Sequence, residues 1–519
     1  MRGTGSRRVL LASIAAVLLL SACGGAAQPA ASTAGSSGGK SVFTYAVNTP
    51  ADNLDPVTQD ANADIWPLAN VYETLVGLNQ KGDGYVPDLA TSWDTSSDGL
   101  TWTFHLRSGV KFSNGQAMTS ADVVWSLQRA HDTNGPWQWA LAPVKSIAAP
   151  DASTVVITLA QPWAPFLADV SLFSSAIMSA ATFKSATQAT ISKSPMGTGP
   201  YYVAQWVQGQ KIVLKANSHY WQAGLPKTAE VDLPYVPDDN TRAIQIQSGQ
   251  VDGIDAPAFA QLDQLRAASN LNVLLDPSTA VALLSLNTKQ GPTASVQFRQ
   301  ALADAIDYQG LIKTIVFGNA KPANSFLPET TLFYNASQTG YSFDLAKAKA
   351  LFAQSGVPAG TTLSLLVRSG SQVQQQTAVE LKSDWTQLGI NPQLELLDPA
   401  AATARYRQDD FQVDITGWTN DIPDPDELTT YALGFTQSES YHSQYHSAAM
   451  DALITQGETT LDTAKRQQIY NQIQQMAMND LPIIPLYYAP YTVALSKKVS
   501  GFVQMTTGPW LFANVTVQP

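Results

Sequence analysis

At 519 residues, with 14% charged and 45% hydrophobic side chains, the chain has globular composition and about three domains' worth of length. A net charge of −11 and a pI near 4.9 argue against nucleic acid as a partner, and no basic cluster with interleaved aromatics offsets them. Cys23 is the only cysteine, which excludes an intramolecular disulfide and any thiol redox or thiolate-metal function.

Arg2, Arg7 and Arg8 precede an apolar run at residues 9–20 that is too short to be a permanent bilayer span. The run stops at Leu20-Ser21-Ala22-Cys23, which resembles a bacterial lipoprotein box. That resemblance implies a signal peptide over residues 1–22, cleavage before Cys23 and lipidation of its sulfur and amino group. Ser6-Arg7-Arg8 is a weak twin-arginine match, so the export route stays open between Sec and Tat. Residues 24–39 are small and polar without an apolar period, and read as a tether. A coil of that length holds the folded part roughly 20–25 Å from the lipid on average.

Regular structure is expected from residue 41, where apolar side chains on both faces predict a buried strand. A short helix is predicted over 65–75, followed by strands turned at Asp98-Gly99 and Asn114-Gly115. Thr119-Ser120-Ala121-Asp122 reads as a capping box opening a helix. Gly197-Thr198-Gly199-Pro200 reads as a turn between strands and not as a phosphate loop, because no Gly-Lys pair follows. Further helices are predicted over 294–306, after Asp307, after Asp344, along the stripe Val373, Thr377, Leu381, Trp385 and Leu388, and around Ile469 to Ala477. Strands alternating with helices of this length imply an α/β protein.

The strand Phe411, Val413, Ile415 runs into Gly417-Trp418-Thr419-Asn420-Asp421-Ile422-Pro423-Asp424-Pro425-Asp426, where two prolines forbid continued pairing. Bare backbone, an indole and a carboxylate in that order suit a small cationic or zwitterionic ligand. An ordinary strand exit with Trp418 in the core is the competing reading. Asp424 and Asp426 read as turn residues on a solvated face. His442 and His446 stand four apart, as helical metal ligands do, but no third ligand is visible. There is no HExxH motif and no catalytic cysteine, which disfavours an exported hydrolase and any enzyme reading.

Several segments closely resemble the peptide/nickel/opine class (family 5) of ABC-importer solute-binding lipoproteins, of dipeptide- and oligopeptide-binding type. These are Tyr72-Glu73-Thr74-Leu75, Pro87-Asp88-Leu89-Ala90-Thr91-Ser92-Trp93, the stretch 102–112, Thr119-Ser120-Ala121-Asp122, Met196-Gly197-Thr198-Gly199-Pro200-Tyr201, the stretch 299–307 and Leu481-Pro482-Ile483-Ile484-Pro485-Leu486-Tyr487. The resemblance implies a two-lobed periplasmic-binding-protein-like fold with a hinged cleft and an extra subdomain. By analogy the discontinuous first lobe takes residues 41–77, 190–278 and 488–519, the subdomain 78–189, and the second lobe 279–487. It implies capture of di- or oligopeptides, delivery to the transmembrane subunits of an ABC permease, a monomer, no cofactor, no metal, and residence on the outer face of the cell membrane through the lipid anchor. A receptor for an oligosaccharide or a metal chelate is the alternative within the same family.

The resemblance also assigns roles. Peptide binders of this class carry an aspartate shortly after a Gly-Trp that pairs with the ligand's α-ammonium, and Asp421 falls there. They carry an arginine for the ligand carboxylate ahead of a helix ending in Asp-Trp, and Arg368 precedes Asp384-Trp385 at matching spacing. A buried zwitterion needs a charged partner at each end, and a guanidinium fork fits a carboxylate as lysine cannot. An ion pair away from the ligand is the competing reading for Arg368. Trp418 is expected to wall the ligand, with Gly417, Thr419 and Asn420 beside it offering strand-like contacts. Trp137 and Trp139 are expected mainly to pack their own loop.

Overall fold

Phe43 and Tyr45 leave one face of the strand Val42–Ala46 and Ala46 leaves the other, and all three are fully buried in separate apolar clusters. A strand covered on both faces belongs at the centre of a sheet. Here it is the central strand of a seven-stranded mixed sheet, parallel to Glu230–Pro234 on one side and to Gly253–Asp255 on the other. The strand Tyr491–Ser496, near the chain's C-terminal end, joins this sheet antiparallel to Gly253–Asp255. The computed structural model describes residues 41–435 and 442–519; the lipoprotein box with Cys23 and the tether lie outside them. Among the described residues no helix is long and apolar enough to cross a membrane.

A second mixed sheet, of six strands, runs in the order Lys321–Pro322, Ile483–Tyr488, Ala280–Leu286, Val413–Thr419, Thr362–Arg368, Asn391–Leu397. Its strands alternate, so Leu284, Leu286, Val413 and Ile415 face one core while Val281 and Leu283 face another. The first core is completed by Leu381 and Trp385 from the helix Gln372–Thr386, whose indole donates to Leu302 O at 3.0 Å. The two sheets belong to the two lobes of a mixed α/β fold, with the ligand cleft between them. A third, four-stranded antiparallel sheet built from residues 90–159 forms a smaller body with its own core around Phe104, Val155 and Ile157.

Most predicted helices occur, with identifiable ends. Thr119 and Asp122 form the reciprocal capping box of Ser120–Asp132, Asp307 caps Tyr308–Ile315, and Asp344 caps Leu345–Gln354. Two local expectations differ. The helix expected at 65–75 is Asn62–Leu68. Gly197-Thr198-Gly199 leads from the short helix Gln188–Lys193 into Tyr201–Val207, so it does not join two strands. Instead it lies flat on the backbone of Asn70 and Val71, with Gly199 N donating to Val71 O at 3.0 Å. Beside it the buried Glu73 carboxylate accepts from Thr198 Oγ1, Tyr220 OH and Trp221 Nε1. Burial pushes that carboxyl up to about 7.

Candidate ligand-binding site

The strand Val413–Thr419 pairs antiparallel with Ala280–Leu286 along its whole length, but with Thr362–Arg368 only at Leu365↔Val413 and Leu366↔Asp414. Beyond that point the strand runs out into the cleft and carries Gly417, Trp418 and Thr419 there. The chain then bends at Asn420 and Asp421, and the helix Asp426–Leu433 starts directly after Pro425. Proline ahead of two acids in a first turn is a helix-start signal that was available in the sequence and was missed.

Trp418 is half-buried and packs on Tyr431 with ring centroids 5.0 Å apart. Asn420 is fully buried and braces the bend by donating from Nδ2 to Asp424 O at 3.0 Å and to Ile422 O. Its side chain therefore holds the loop. Glu427, also fully buried, accepts the N–H groups of Asp421 and Ile422 at 2.8 and 3.3 Å. The bend is thus fixed by a carboxylate six residues further on, which spacing could not reveal.

Asp421 itself is only half-buried, yet its Oδ1 is shut away from solvent and has no hydrogen-bond partner among the described residues. Burial pushes its carboxyl up to about 8. Glu427 is raised as well, by burial and then by the facing Asp421 charge.

Asp424 and Asp426 correct the sequence reading, because neither is solvated. Asp424 is buried and bidentate to Arg466 at 2.8 and 3.0 Å, while Arg466 Nε donates to Gly457 O. Asp426 is fully buried with both carboxylate oxygens unpartnered among the described residues, and burial raises its pKa strongly. A polar-looking loop sequence hides such burial, since the partner of Asp424, Arg466, lies 42 residues further along the chain.

Two cavities adjoin at Trp418. The smaller, about 240 Å³, is walled by Asp60, Asn62, Trp137, Gly417, Thr419 and Asp421 together with Trp418. The larger, about 1160 Å³, shares Asp60, Trp137 and Trp418 with it and adds Trp139, Arg368 and Arg407 among its lining. Both are made by segments from each lobe, and Asn62 Nδ2 reaches Thr419 Oγ1 at 3.4 Å across the cleft. Trp137 is buried and donates to Gln59 O at 2.6 Å, so it packs its loop and forms cavity wall at once.

Arg368 lines the larger cavity, away from the pocket of Asp421, and its Nη1 pairs with Asp414 Oδ1 at 2.8 Å. Asp414 is fully buried, which raises its carboxyl to about 6 against the pull of Arg368. His442 and His446 do not share a helix face. His442 sits in a turn at φ 57° and meets Asp409 at 2.7 Å, while His446 stacks on Phe435.

The model of the bacterial extracellular solute-binding proteins, family 5 (middle), matches residues 84–440. The chain is 30% identical to a probable D,D-dipeptide-binding periplasmic protein of Escherichia coli, over 87% of this chain and 89% of that one. It is 29% identical to heme-binding protein A of Haemophilus influenzae, over 98% and 99%. Among solved structures, an ABC transporter-associated periplasmic binding protein of Helicobacter pylori in complex with the peptide STSA superposes with a TM-score of 0.84, at 28% identity and covering 92% and 98% of the two chains.

Proposed function

The chain belongs to the bacterial extracellular solute-binding proteins of family 5, and from that premise we propose that it is a lipid-anchored receptor that closes its two lobes on a short peptide and hands it to an ABC permease. The observation that carries this reading is Asp421, which lines a pocket walled by Trp137 and Trp418 and whose Oδ1 has no hydrogen-bond partner among the described residues. A carboxylate there, flanked by indoles, fits an α-ammonium by charge and by cation–π contact. The adjoining chamber exceeds the ~300–1,000 Å³ that encloses a drug-sized ligand, which favours peptides longer than two residues. Arginine in the lining of that chamber sets the carboxylate end of the peptide on that side. Gly417 and Thr419 offer the peptide backbone strand-like contacts, and Trp418 walls it.

Closure follows because the ligand touches both lobes and so binds the closed state better than the open one. In this reading Cys23 supplies the anchor, ATP is used only by the permease, and the receptor works as a monomer with no cofactor. The peptide names of the relatives support this assignment; no reaction is catalysed.

The competing reading is a stacking ligand such as an oligosaccharide, favoured by Trp137, Trp139 and Trp418 in one chamber. Calorimetry on Asp421→Ala separates the two. Free-amino peptides should lose about 2–5 kcal/mol of binding while N-acetylated peptides lose little. Equal affinity of mutant and wild type for a free-amino peptide would overturn the assignment.

A further inference from the structure

Two arginines line the larger cavity, and their surroundings differ. Arg368 is the cation set against Asp414, a carboxylate with no solvent exposure, and it also touches Ile415 O at 3.4 Å. Giving that guanidinium wholly to a ligand would leave Asp414 buried without its counter-charge, which is among the costliest changes a protein interior can suffer. Arg407 ends the helix Pro399–Arg407 in the lobe of the six-stranded sheet. Its Nη2 lies 3.3 Å from Oδ2 of Asp60, which comes from the opposite lobe, just ahead of the helix Asn62–Leu68. The two side chains are 64% and 57% exposed, so their pairing contributes little and is readily exchanged.

Asp60 also lines the smaller cavity, where it shares a wall with Asp421. It therefore stands where the two ends of the cleft meet. We propose that Arg407 is the residue that selects a free α-carboxylate on the ligand, taking it in exchange for Asp60; this rests on the peptide reading above. The exchange leaves no charge stranded. The incoming ammonium gives Asp60 and Asp421 a common cation, and the departing Arg407 gains the carboxylate. The guanidinium of Arg368 stays with Asp414 throughout, and the pair presents no net charge to the ligand. The ligand class is accordingly a zwitterionic peptide with both termini free, laid from the small pocket into the chamber.

The test uses the full folded protein and two tetrapeptide libraries that differ only at the C-terminus, free acid against amide. Binding is read by calorimetry and by ligand-linked melting temperature in wild type, Arg407→Gln and Arg368→Gln. Wild type should prefer the free acids by a factor on the order of tenfold. Arg407→Gln should bring that ratio to within about twofold, whereas Arg368→Gln should keep the ratio while lowering the melting temperature of the ligand-free protein. Retention of the preference in Arg407→Gln, or its loss in Arg368→Gln alone, would overturn the assignment. Equal binding of both libraries by wild type would overturn it too, leaving the peptide reading intact. Binding of neither library would remove the peptide reading and this inference with it.

Discussion

Asp421 carries opposite demands in the two states of the cleft. In the ligand-free protein burial raises its carboxyl to about 8, so at neutral pH it is mostly protonated. Its contribution to ligand-free stability is complete below the ordinary carboxyl value near ~4 and is lost as pH rises through about 8. A bound ammonium favours the ionised form and pulls the value down, so binding near pH 7 must release a proton. Affinity for a free-amino peptide should therefore rise from pH 6 towards pH 8, and then fall as the peptide's own amine, near ~8, loses its charge. Calorimetry in buffers of different ionisation heat reads the released proton directly. Proton uptake, or affinity that is flat across this range, would contradict the role given to Asp421. Arg466 shows the contrasting arrangement, a buried carboxylate that already has its cation, and Asp424 is thereby removed from ligand chemistry.

The segment 413–433 divides what could be read ahead from what could not. Alternation of Val413 and Ile415 predicts the strand, and the paired prolines predict its end. The helix Asp426–Leu433 had a local start signal in Pro425 and the two acids after it, whereas the clasp of Glu427 on the bend and the burial of Asp426 arise only in the folded chain and leave no local period. The same holds for Arg368, where the residue was identifiable but its partner Asp414, on the neighbouring strand, was not. Capping residues were the easiest to read, because an Asp or Thr side chain acts within three residues of itself. The Gly197-Thr198-Gly199 turn lies between these cases. Its glycines were visible, but their reason is tertiary: a Cβ on Gly199 would sit 2.7 Å from the carbonyl carbon of Val71 and 2.8 Å from Asn70 O. Backbone cannot retreat as a flexible side chain can, so Gly199→Ala should cost about 1–3 kcal/mol of stability. A urea titration measures this, and an unchanged midpoint would mean that the contact with Asn70 and Val71 is looser than described.

As a whole the molecule is built so that its cleft cavities draw on chain from both lobes. The lobe of the first sheet contributes Asp60 and Asn62, the loop of the smaller body contributes Trp137, and the lobe of the second sheet contributes Gly417, Trp418, Thr419, Asp421 and Arg368. Contacts of this kind make occupancy and closure one equilibrium, which is what a receptor must present to a transporter. The α/β architecture followed from strand and helix alternation, whereas the assignment of each segment to a lobe came from resemblance, since crossovers leave no periodic trace in sequence. The most direct test of the account is denaturing mass spectrometry of whatever leaves the cleft when protein purified from its native host is unfolded. Short peptides with free amino and carboxyl termini, enriched at three residues or more, are the predicted result. Glycans or metal chelates in their place would contradict it.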